Sequence, residues 1–470
     1  TATTDTVIQV LQLCGYEPII SEALQGNLVL MVSALENTSL TASNLVFNQV
    51  PGAERYEIWR YVASANPNTA VKLLDFLDGS EPGTITLNGT ETYGYADTTA
   101  VINVEYAYYY KAFNDTLDLS ATSNEIKEMM KEVDTALVGG FYAGIGKWRG
   151  GAKAPNGKYY YAPHMANQIL EYNPVTKTTA LVGSVYTGNA KWIGGILAED
   201  GNIYFAPCNA TQILKLDLAT MTTSLVGSVY GTGGNKWHSG VLASNGHLYF
   251  APHNENQILK YNVATGVSSL VGTSYSALAK WSGFVSNTAG TVLYASPNTS
   301  NQILKFDVAT ETTSLVGTSY TGSSKWQTGT LHPNGKIYFC PVNQTKILEF
   351  DPATNTTTLV GGTATGYLGI FTAMNGKIYL IPILNNNRVL EFNPTTGASR
   401  LVGQTYTGVE KWLGTGVIAD NGRYYVAPYS GTQILEIYNT DEPIVLNATT
   451  IPADLTQLSE SNYNKYYNKY

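Results

Sequence analysis

The chain has 470 residues, a formal net charge of −8 and only 13% charged residues, while glycine (45) and tyrosine (34) are abundant. This length exceeds what one hydrophobic core organises, so two or three structural units are expected. The charge is mild and contains no basic block, which argues against a protein that follows nucleic-acid phosphates. No apolar run approaches the roughly 20 residues that cross a bilayer, so we predict no membrane span.

Residues 1–40 open with a loose helical stripe of apolar residues between Val7 and Leu13. We interpret this segment as an attachment arm that contacts other proteins of an assembly. A lid packed on the following domain fits the same pattern. The first residues, Thr1 to Asp5, lack the basic start of a secretory signal. This pattern does not determine the cellular compartment of the protein.

Residues 41–132 change to short alternating runs, such as Tyr56 to Tyr61 and Tyr106 to Ala112, which predict antiparallel strands. With Pro51-Gly52-Ala53 before the first run and Tyr95-Ala96-Asp97 before the second, the segment resembles a fibronectin type III domain. The resemblance implies an immunoglobulin-like β-sandwich that serves as a spacer or docking module, and it implies no activity.

Residues 133–440 are a repeat marked by Lys-Trp pairs, with tryptophan spacings of 44, 45, 44, 45 and 86 residues. The gap of 86 holds one degenerate unit around Tyr367, which makes seven units. Each unit contains four β-like runs, and four strands at this period predict a propeller blade. Asn-Gly and Asp-Gly steps predict the tight turn between the first two strands. The tryptophans of the pairs are Trp148, Trp192, Trp237, Trp281, Trp326 and Trp412.

The ring is predicted to close by pairing its two ends. Leu-Val-Gly, the fourth-strand motif, occurs seven times, but its first copy precedes Trp148 and the unit after Trp412 has only three strands. Thr135 to Val138 are therefore expected to supply the outer strand of the last blade, which also covers two exposed sheet edges. The region resembles seven-bladed propellers of the NHL and YncE-like kinds. The predicted fold class is all-β, a seven-bladed β-propeller preceded by an Ig/FnIII-like β-sandwich.

Residues that recur in nearly every blade are interpreted as structural, because every blade needs packing. The tryptophans are expected to wedge between adjacent blades, and the glycines that follow them to fit crowded inner strands. The recurring glutamines are expected to hydrogen-bond a neighbouring backbone. They are Gln168, Gln212, Gln257, Gln302 and Gln433.

Function is expected at positions that keep their place in the repeat while the residue type changes from unit to unit. The position after the Ala-Pro-type strand end, here called the variable slot, changes in residue type around the ring. It reads His164, Cys208, His253, Asn298, Val342, Ile383 and Tyr429. The candidate ligand-binding residues on this propeller face are His164, His238, His253, Asn298 and Tyr429.

Neither a metal nor a catalytic set is predicted at this face. His164, Cys208 and His253 suggest zinc ligands, but they lie one or two blades apart and no carboxylate recurs beside them. Streptogramin-lyase-like propellers use His and Glu on the top face, and His238, His253 and Glu255 are similar in type, yet no motif matches residue by residue. We expect no cofactor and no catalytic residue, and the three scattered cysteines are interpreted as small buried hydrophobes.

Residues 441–470 leave the repeat and end in an aromatic, weakly basic stretch that is interpreted as a docking tail. A sandwich spacer, a rigid propeller and two terminal attachment segments resemble virion proteins of tailed bacteriophages. That resemblance implies a head or tail fibre, a decoration component or an adhesin that contacts other virion proteins and a cell-surface glycan. The alternative is a secreted bacterial propeller that binds or cleaves polysaccharide.

Overall fold

The computed structural model describes two separate parts of the chain. One is 133–438 without 374, 384–385, 415 and 420–421, and the other comprises 34–35, 43–48, 55–77 without 66, 84–87, 90–97, 105–114, 119–122 and 126–129. They belong to two compact units, which are described one at a time. The expected arm, apart from its residues 34–35, and the expected tail 441–470 lie outside the described residues. No helix in the described part is long and apolar enough to cross a membrane.

The described residues of the first unit form two antiparallel sheets and one 3-10 turn at Pro67–Thr69. One sheet has the order β1-β2-β6-β5, and the other has the order β4-β3-β7-β8, with β9 also paired to β7. The resemblance of this segment to a fibronectin type III domain stays a prediction. The strands are β1 (Ala34–Leu35), β2 (Ser43–Asn48), β3 (Arg55–Val62), β4 (Val71–Leu77), β5 (Thr84–Leu87), β6 (Thr90–Asp97), β7 (Glu105–Asn114), β8 (Leu119–Thr122) and β9 (Ile126–Met129).

The second unit contains seven four-stranded antiparallel sheets, so the predicted β-propeller is confirmed. Blade 1 comprises β11 to β14, and the next five blades follow in groups of four. Blade 7 comprises β35 to β37 and the early strand β10. The strands are β10 (Asp134–Val138), β11 (Trp148–Lys153), β12 (Tyr159–Pro163), β13 (Ile169–Asn173), β14 (Thr178–Val182), β15 (Trp192–Leu197), β16 (Ile203–Pro207), β17 (Ile213–Asp217), β18 (Thr222–Val226), β19 (Trp237–Leu242), β20 (His247–Pro252), β21 (Ile258–Asn262), β22 (Ser268–Val271), β23 (Trp281–Ser286), β24 (Val292–Pro297), β25 (Ile303–Asp307), β26 (Thr312–Val316), β27 (Trp326–Leu331), β28 (Ile337–Pro341), β29 (Ile347–Asp351), β30 (Thr356–Val360), β31 (Tyr367–Thr372), β32 (Ile378–Pro382), β33 (Val389–Phe392), β34 (Ser399–Val402), β35 (Val417–Ile418), β36 (Tyr424–Val426) and β37 (Ile434–Tyr438).

The ring closes as the sequence predicts. Strand β10 pairs antiparallel with β37, with Ala136 opposite Glu436 and Val138 opposite Ile434. Thr135 also ties β10 to the blade before it, because its hydroxyl accepts hydrogen bonds from Gln404 N at 2.8 Å and from the hydroxyl of Tyr406 at 3.1 Å. The same tyrosine-to-threonine contact joins blades 1 and 2, so the early strand is built in like any other fourth strand.

Burial is greatest in the second strand of a blade and least in the fourth, while the first strand, nearest the axis, is partly exposed, as in Trp326–Leu331. The second strand of a blade, such as Ile203–Pro207, is buried at every position, whereas the fourth, such as Thr222–Val226, is mostly exposed. Each tryptophan packs between blades: Trp192 lies in a cluster that combines Tyr160 of blade 1 with Phe205 of blade 2. The expected wedge role of the tryptophans is therefore confirmed.

The recurring glutamines have the backbone role that the sequence predicts. Gln212 Nε2 donates to Gly227 O at 2.8 Å, and the indole of Trp192 donates to Gln212 O at 2.9 Å. The side chain thus ties the second-to-third strand loop to the end of the fourth strand in its own blade. Lys346 and Arg388 occupy the same position in blades 5 and 6 and donate to the equivalent carbonyls.

Candidate functional site

A closed circle of backbone hydrogen bonds surrounds the axis at the face that carries the variable slot. His164 N donates to Lys147 O, and Lys191 N of the next blade donates to His164 O, both at 2.9 Å. The pattern continues around the ring, with Glu410 N rather than Lys411 N as the donor to Ile383 O, and ends where Lys147 N donates to Tyr429 O at 2.9 Å. The variable-slot residues are therefore fixed by backbone contacts that do not depend on their side chains.

The lysines of the Lys-Trp pairs reinforce this circle. Lys325 is completely buried, and its ammonium donates to the carbonyl oxygens of Asn298, Thr299 and Gly322 at 2.8 to 3.0 Å. Burial lowers the pKa of this lysine to about 8. Lysines at the same position make two or three such contacts in five other blades, so each ammonium joins loops of neighbouring blades. They are Lys147, Lys191, Lys236, Lys280 and Lys411.

The position after each tryptophan forms a second ring that lines the axis. A β-bulge between Trp148 and Gly151, with Gly150 at φ +71°, interrupts the strand alternation there. Bulges of this kind re-aim a side chain, and Arg149 lines the axial cavity. A Cβ on Gly150 would approach the backbone of Gly194 to 2.9 Å, so the crowding predicted for the inner strands is confirmed.

The axial cavity has a volume of about 20 Å³, which is room for about one water molecule, and it has two chemically different halves. Arg149, His238, Ser282 and Gln327 form the polar half, whereas Ile193 and Leu368 contribute apolar surface. Above the apolar side, Leu368 and Leu413 pack in one cluster with Val342 and Ile383 of the variable slot. The lining residues that the structure describes include no carboxylate.

The five candidate residues lie around this axis. His238 lines the cavity itself, while the other four occupy the ring of variable-slot residues directly above it. Three of these four, His164, His253 and Asn298, are at most 7% exposed, and Tyr429 is partly buried. The ring of His164 contacts that of Tyr429 edge-on, with centroids 5.6 Å apart.

The sequence analysis did not identify Arg149, Ser282 or Gln327. They share the position after the tryptophan, which changes from blade to blade as the variable slot does. The change of residue type at this position from blade to blade is the sequence signal that could have identified them. Cys208, also in the ring, is buried and donates to Asn235 Oδ1 at 3.2 Å, and Cys340 is buried as well, as expected of both.

The polar side of the site contains a small hydrogen-bond network. His238 stacks on His253, with ring centroids 3.8 Å apart and an interplanar angle of 11°. His253 Nδ1 lies 2.9 Å from Trp281 O, and because a carbonyl only accepts, this nitrogen carries the proton. Ser282 Oγ lies 3.3 Å from the same nitrogen and accepts from Asn298 Nδ2 at 3.3 Å.

Four buried polar atoms around the axis have no hydrogen-bond partner among the described residues. They are His164 Nδ1, His238 Nε2, Asn298 Oδ1 and Gln327 Oε1. Buried polar atoms are nearly always hydrogen-bonded, and leaving one without a partner costs about 1–3 kcal/mol. Four such atoms from four blades at one place are an arrangement that a bound molecule would satisfy.

The histidines of the site are neutral at physiological pH. Burial, with the nearby charges of Arg149 and Lys191, lowers the pKa of His164 to about 3. Burial also lowers the pKa of His253 to about 4, although the hydrogen bond to Trp281 O opposes the shift. The pKa of His238 is likewise lowered by burial and by the adjacent His253. Arg149 therefore supplies the fixed charge of the cavity.

These shifts make stability depend on pH. As the pH falls below about 6.5 the unfolded chain protonates its histidines, whereas folded His253 stays neutral down to about 4, so the free energy of unfolding falls with pH. Between pH 7 and pH 4.5 we expect the free energy of unfolding of His253→Asn to fall by about 1–2 kcal/mol less than that of the unmodified chain. Urea unfolding at both pH values measures this difference. An equal loss for His253→Asn and the unmodified chain would contradict the pKa assignment.

One buried carboxylate has a structural role in blade 7. Glu436 of blade 7 is 1% exposed and accepts hydrogen bonds from Arg423 at 2.8 Å and Tyr425 at 3.1 Å. Burial alone would raise the pKa of Glu436, but Arg423 and Lys177 lower it. Among the described residues, no group of three or more His, Cys, Asp or Glu side chains is arranged to hold a metal ion.

Known proteins resemble this chain in fold. No protein family and no curated protein matches the sequence. A streptogramin B lyase structure superposes with a TM-score of 0.55 at 16% identity, covering 66% of this chain and 99% of that one. Virginiamycin B lyase from Staphylococcus aureus gives 0.53 at 13% identity, covering 65% and 98%. Hydrazine synthase from Kuenenia stuttgartiensis gives 0.50 at 10% identity, covering 62% and 95%.

The similarity is one of architecture. At 10 to 16% identity these structures establish a β-propeller and carry over no site, substrate or reaction. Function must therefore be argued from the axial cavity of this chain.

Proposed function

We propose that this chain is a non-enzymatic binding protein that attaches to a saccharide through the propeller face that carries the variable slot. The observation that carries the proposal is the set of four unpartnered buried polar atoms, of which His238 Nε2 and Gln327 Oε1 belong to the cavity lining and His164 Nδ1 and Asn298 Oδ1 to the variable slot. Saccharides offer hydroxyl groups that both donate and accept hydrogen bonds, which these amide and imidazole atoms would satisfy.

The same lining supports binding rather than catalysis. Glycoside cleavage by hydrolysis needs two carboxylates across the scissile bond, and no carboxylate is found among the described lining residues. A histidine acting as general base works best with a pKa near the working pH, whereas burial lowers the pKa of His253 to about 4. The alternative, a secreted propeller that cleaves polysaccharide, is therefore the less favoured reading.

The setting that we propose is the surface of a virion of the tailed-bacteriophage type, as a fibre, decoration or adhesin component. Two features support this setting: the low charge of the chain, and a two-sheet unit that precedes the propeller and whose sequence resembles a fibronectin type III domain. Such a unit acts as a spacer, and weak contacts at each propeller become strong attachment when many copies act together.

The function is tested with a glycan array and with purified particles. We expect the full chain, displayed in many copies, to bind a subset of saccharides and to release no cleavage product from them. We also expect the chain to be a stoichiometric component of purified virions. An array without any bound saccharide would refute the attachment role, and product release would refute the non-enzymatic one.

A further inference from the structure

We propose that the axial cavity binds one water molecule, which accepts a hydrogen bond from the hydroxyl of Ser282 and donates to Gln327 Oε1 and His238 Nε2. The water would join the first strands of blades 3, 4 and 5. This inference goes beyond the proposed function, because it concerns the cavity lining and leaves the two unpartnered atoms of the variable slot, His164 Nδ1 and Asn298 Oδ1, to the saccharide.

The first argument is the size of the cavity. Its volume is about 20 Å³. A buried water needs at least about 10–15 Å³ of such space, together with roughly two to four polar partners. An organic molecule does not fit a space of this size, so the ligand is a water molecule or a single-atom ion.

The second argument is the pair of unpartnered atoms in the lining. His238 Nε2 and Gln327 Oε1 are buried and have no hydrogen-bond partner among the described residues. Both residues line this one cavity. Buried polar atoms without a partner are rare in folded proteins because they are costly. A ligand that pairs with both atoms at once is therefore favoured.

The third argument is the hydroxyl proton of Ser282, which also lines the cavity. Ser282 Oγ lies 3.3 Å from His253 Nδ1 and 3.3 Å from Asn298 Nδ2. His253 Nδ1 carries a proton that it donates to Trp281 O, and an amide nitrogen only donates. Since neither neighbour accepts the serine proton, Ser282 can donate it to a ligand in the cavity.

The fourth argument is that these three groups need a ligand that both donates and accepts. Gln327 Oε1 only accepts, whereas the hydroxyl of Ser282 has a proton to donate. A water oxygen accepts that proton, while the two water hydrogens go to Gln327 Oε1 and His238 Nε2. A chloride ion would face the amide oxygen, and a sodium ion would share the cavity with Arg149. Water therefore matches the lining better than an ion of either sign.

These hydrogen bonds would also fix the tautomer of His238. Burial and the adjacent His253 lower the pKa of His238, so its ring is neutral and carries one proton. Because the water donates to Nε2, that proton belongs on Nδ1. The ring stacks on His253 with 3.8 Å between the centroids, so the water would hold the orientation of the pair.

The experiment combines a crystal structure of the full chain with nitrogen NMR of the chain labelled at its five histidines. We expect one isolated peak of electron density at about 2.5–3.2 Å from Ser282 Oγ, Gln327 Oε1 and His238 Nε2. The NMR spectrum should show a protonated Nδ1 and an unprotonated Nε2 for His238. A His238→Asn variant serves only to assign the signals.

Two variants make the test specific. Gln327→Leu removes one acceptor at similar volume, so we expect it to lose the density peak and to shift the nitrogen signals of His238. Gln344→Leu is the control and should change neither readout, because Gln344 belongs to the same blade but lies outside the cavity lining. If thermal unfolding shows that Gln327→Leu does not fold, Ser282→Ala replaces it and should have the same two effects.

Three results would overturn the proposal. The first is a cavity without density, or with a peak beyond hydrogen-bonding distance of the three atoms. The second is a proton on Nε2 of His238, or a peak and NMR signals that stay unchanged in Gln327→Leu. The third is anomalous scattering that identifies the peak as chloride. None of these results depends on saccharide binding, so this inference and the proposed function fail independently.

Discussion

Val138→Asp is expected to destabilise the propeller by at least about 3 kcal/mol, because it places a carboxylate in a dry interface. Val138 is 7% exposed and packs with Trp148 and Tyr159 of blade 1 and Ile434 of blade 7. It is also the residue of β10 that pairs with Ile434. The substitution therefore weakens both the closure of blade 7 and its contact with blade 1.

The matched control is Leu137→Asp. Leu137 is the preceding residue of the same strand, but it points to the other side of the sheet and is 40% exposed. We expect this variant to lose less than about 1 kcal/mol. Urea unfolding followed by tryptophan fluorescence measures both, since six tryptophans belong to the propeller. Equal effects of the two variants would mean that closure by β10 contributes little to stability.

Lys325→Met is expected to destabilise the propeller by about 2–4 kcal/mol. Methionine keeps most of the apolar stem but removes the ammonium, which leaves three carbonyl oxygens without a charged donor. One of these oxygens belongs to Asn298, so we also expect the change to disturb the ring above the cavity.

Lys305→Met is the control for that substitution. Lys305 lies on β25 in blade 4 and is only partly buried, so its loss should change stability by no more than about 0.5 kcal/mol. Thermal unfolding of both variants, compared with the unmodified chain, measures the difference. A Lys325→Met variant as stable as Lys305→Met would show that water replaces the ammonium without cost.

Much of the fold follows from the spacing of a few residues. The spacing of the tryptophans predicts the number of blades. The first Leu-Val-Gly copy, which precedes the first tryptophan, predicts the closing strand, because a blade with three strands leaves an unpaired edge. The degenerate unit is also predictable, since Tyr367 fills the tryptophan position and is 3% exposed. The turn at Asn156-Gly157 follows from the positive φ that such a turn requires, and Gly157 has φ +75°.

The site was less predictable, for two physical reasons. Regular alternation within a strand does not indicate that the residue after Trp148 lines the axis, because a bulge changes the register there. The lysines recur as faithfully as the tryptophans, but a charged side chain is normally expected at the surface. Only the structure shows the carbonyl oxygens that compensate for burying each ammonium.

Strand β10 is synthesised long before β37, the strand with which it pairs. The side chain of Gln433 donates to Gly139 O across 294 residues, so the first strand of the ring is made long before the strand that holds it. At about 5–20 residues per second this strand waits roughly 15–60 s on the ribosome with an open edge. Its residues, Asp134 to Val138, include a carboxylate and a threonine, which keep such an edge soluble during the wait.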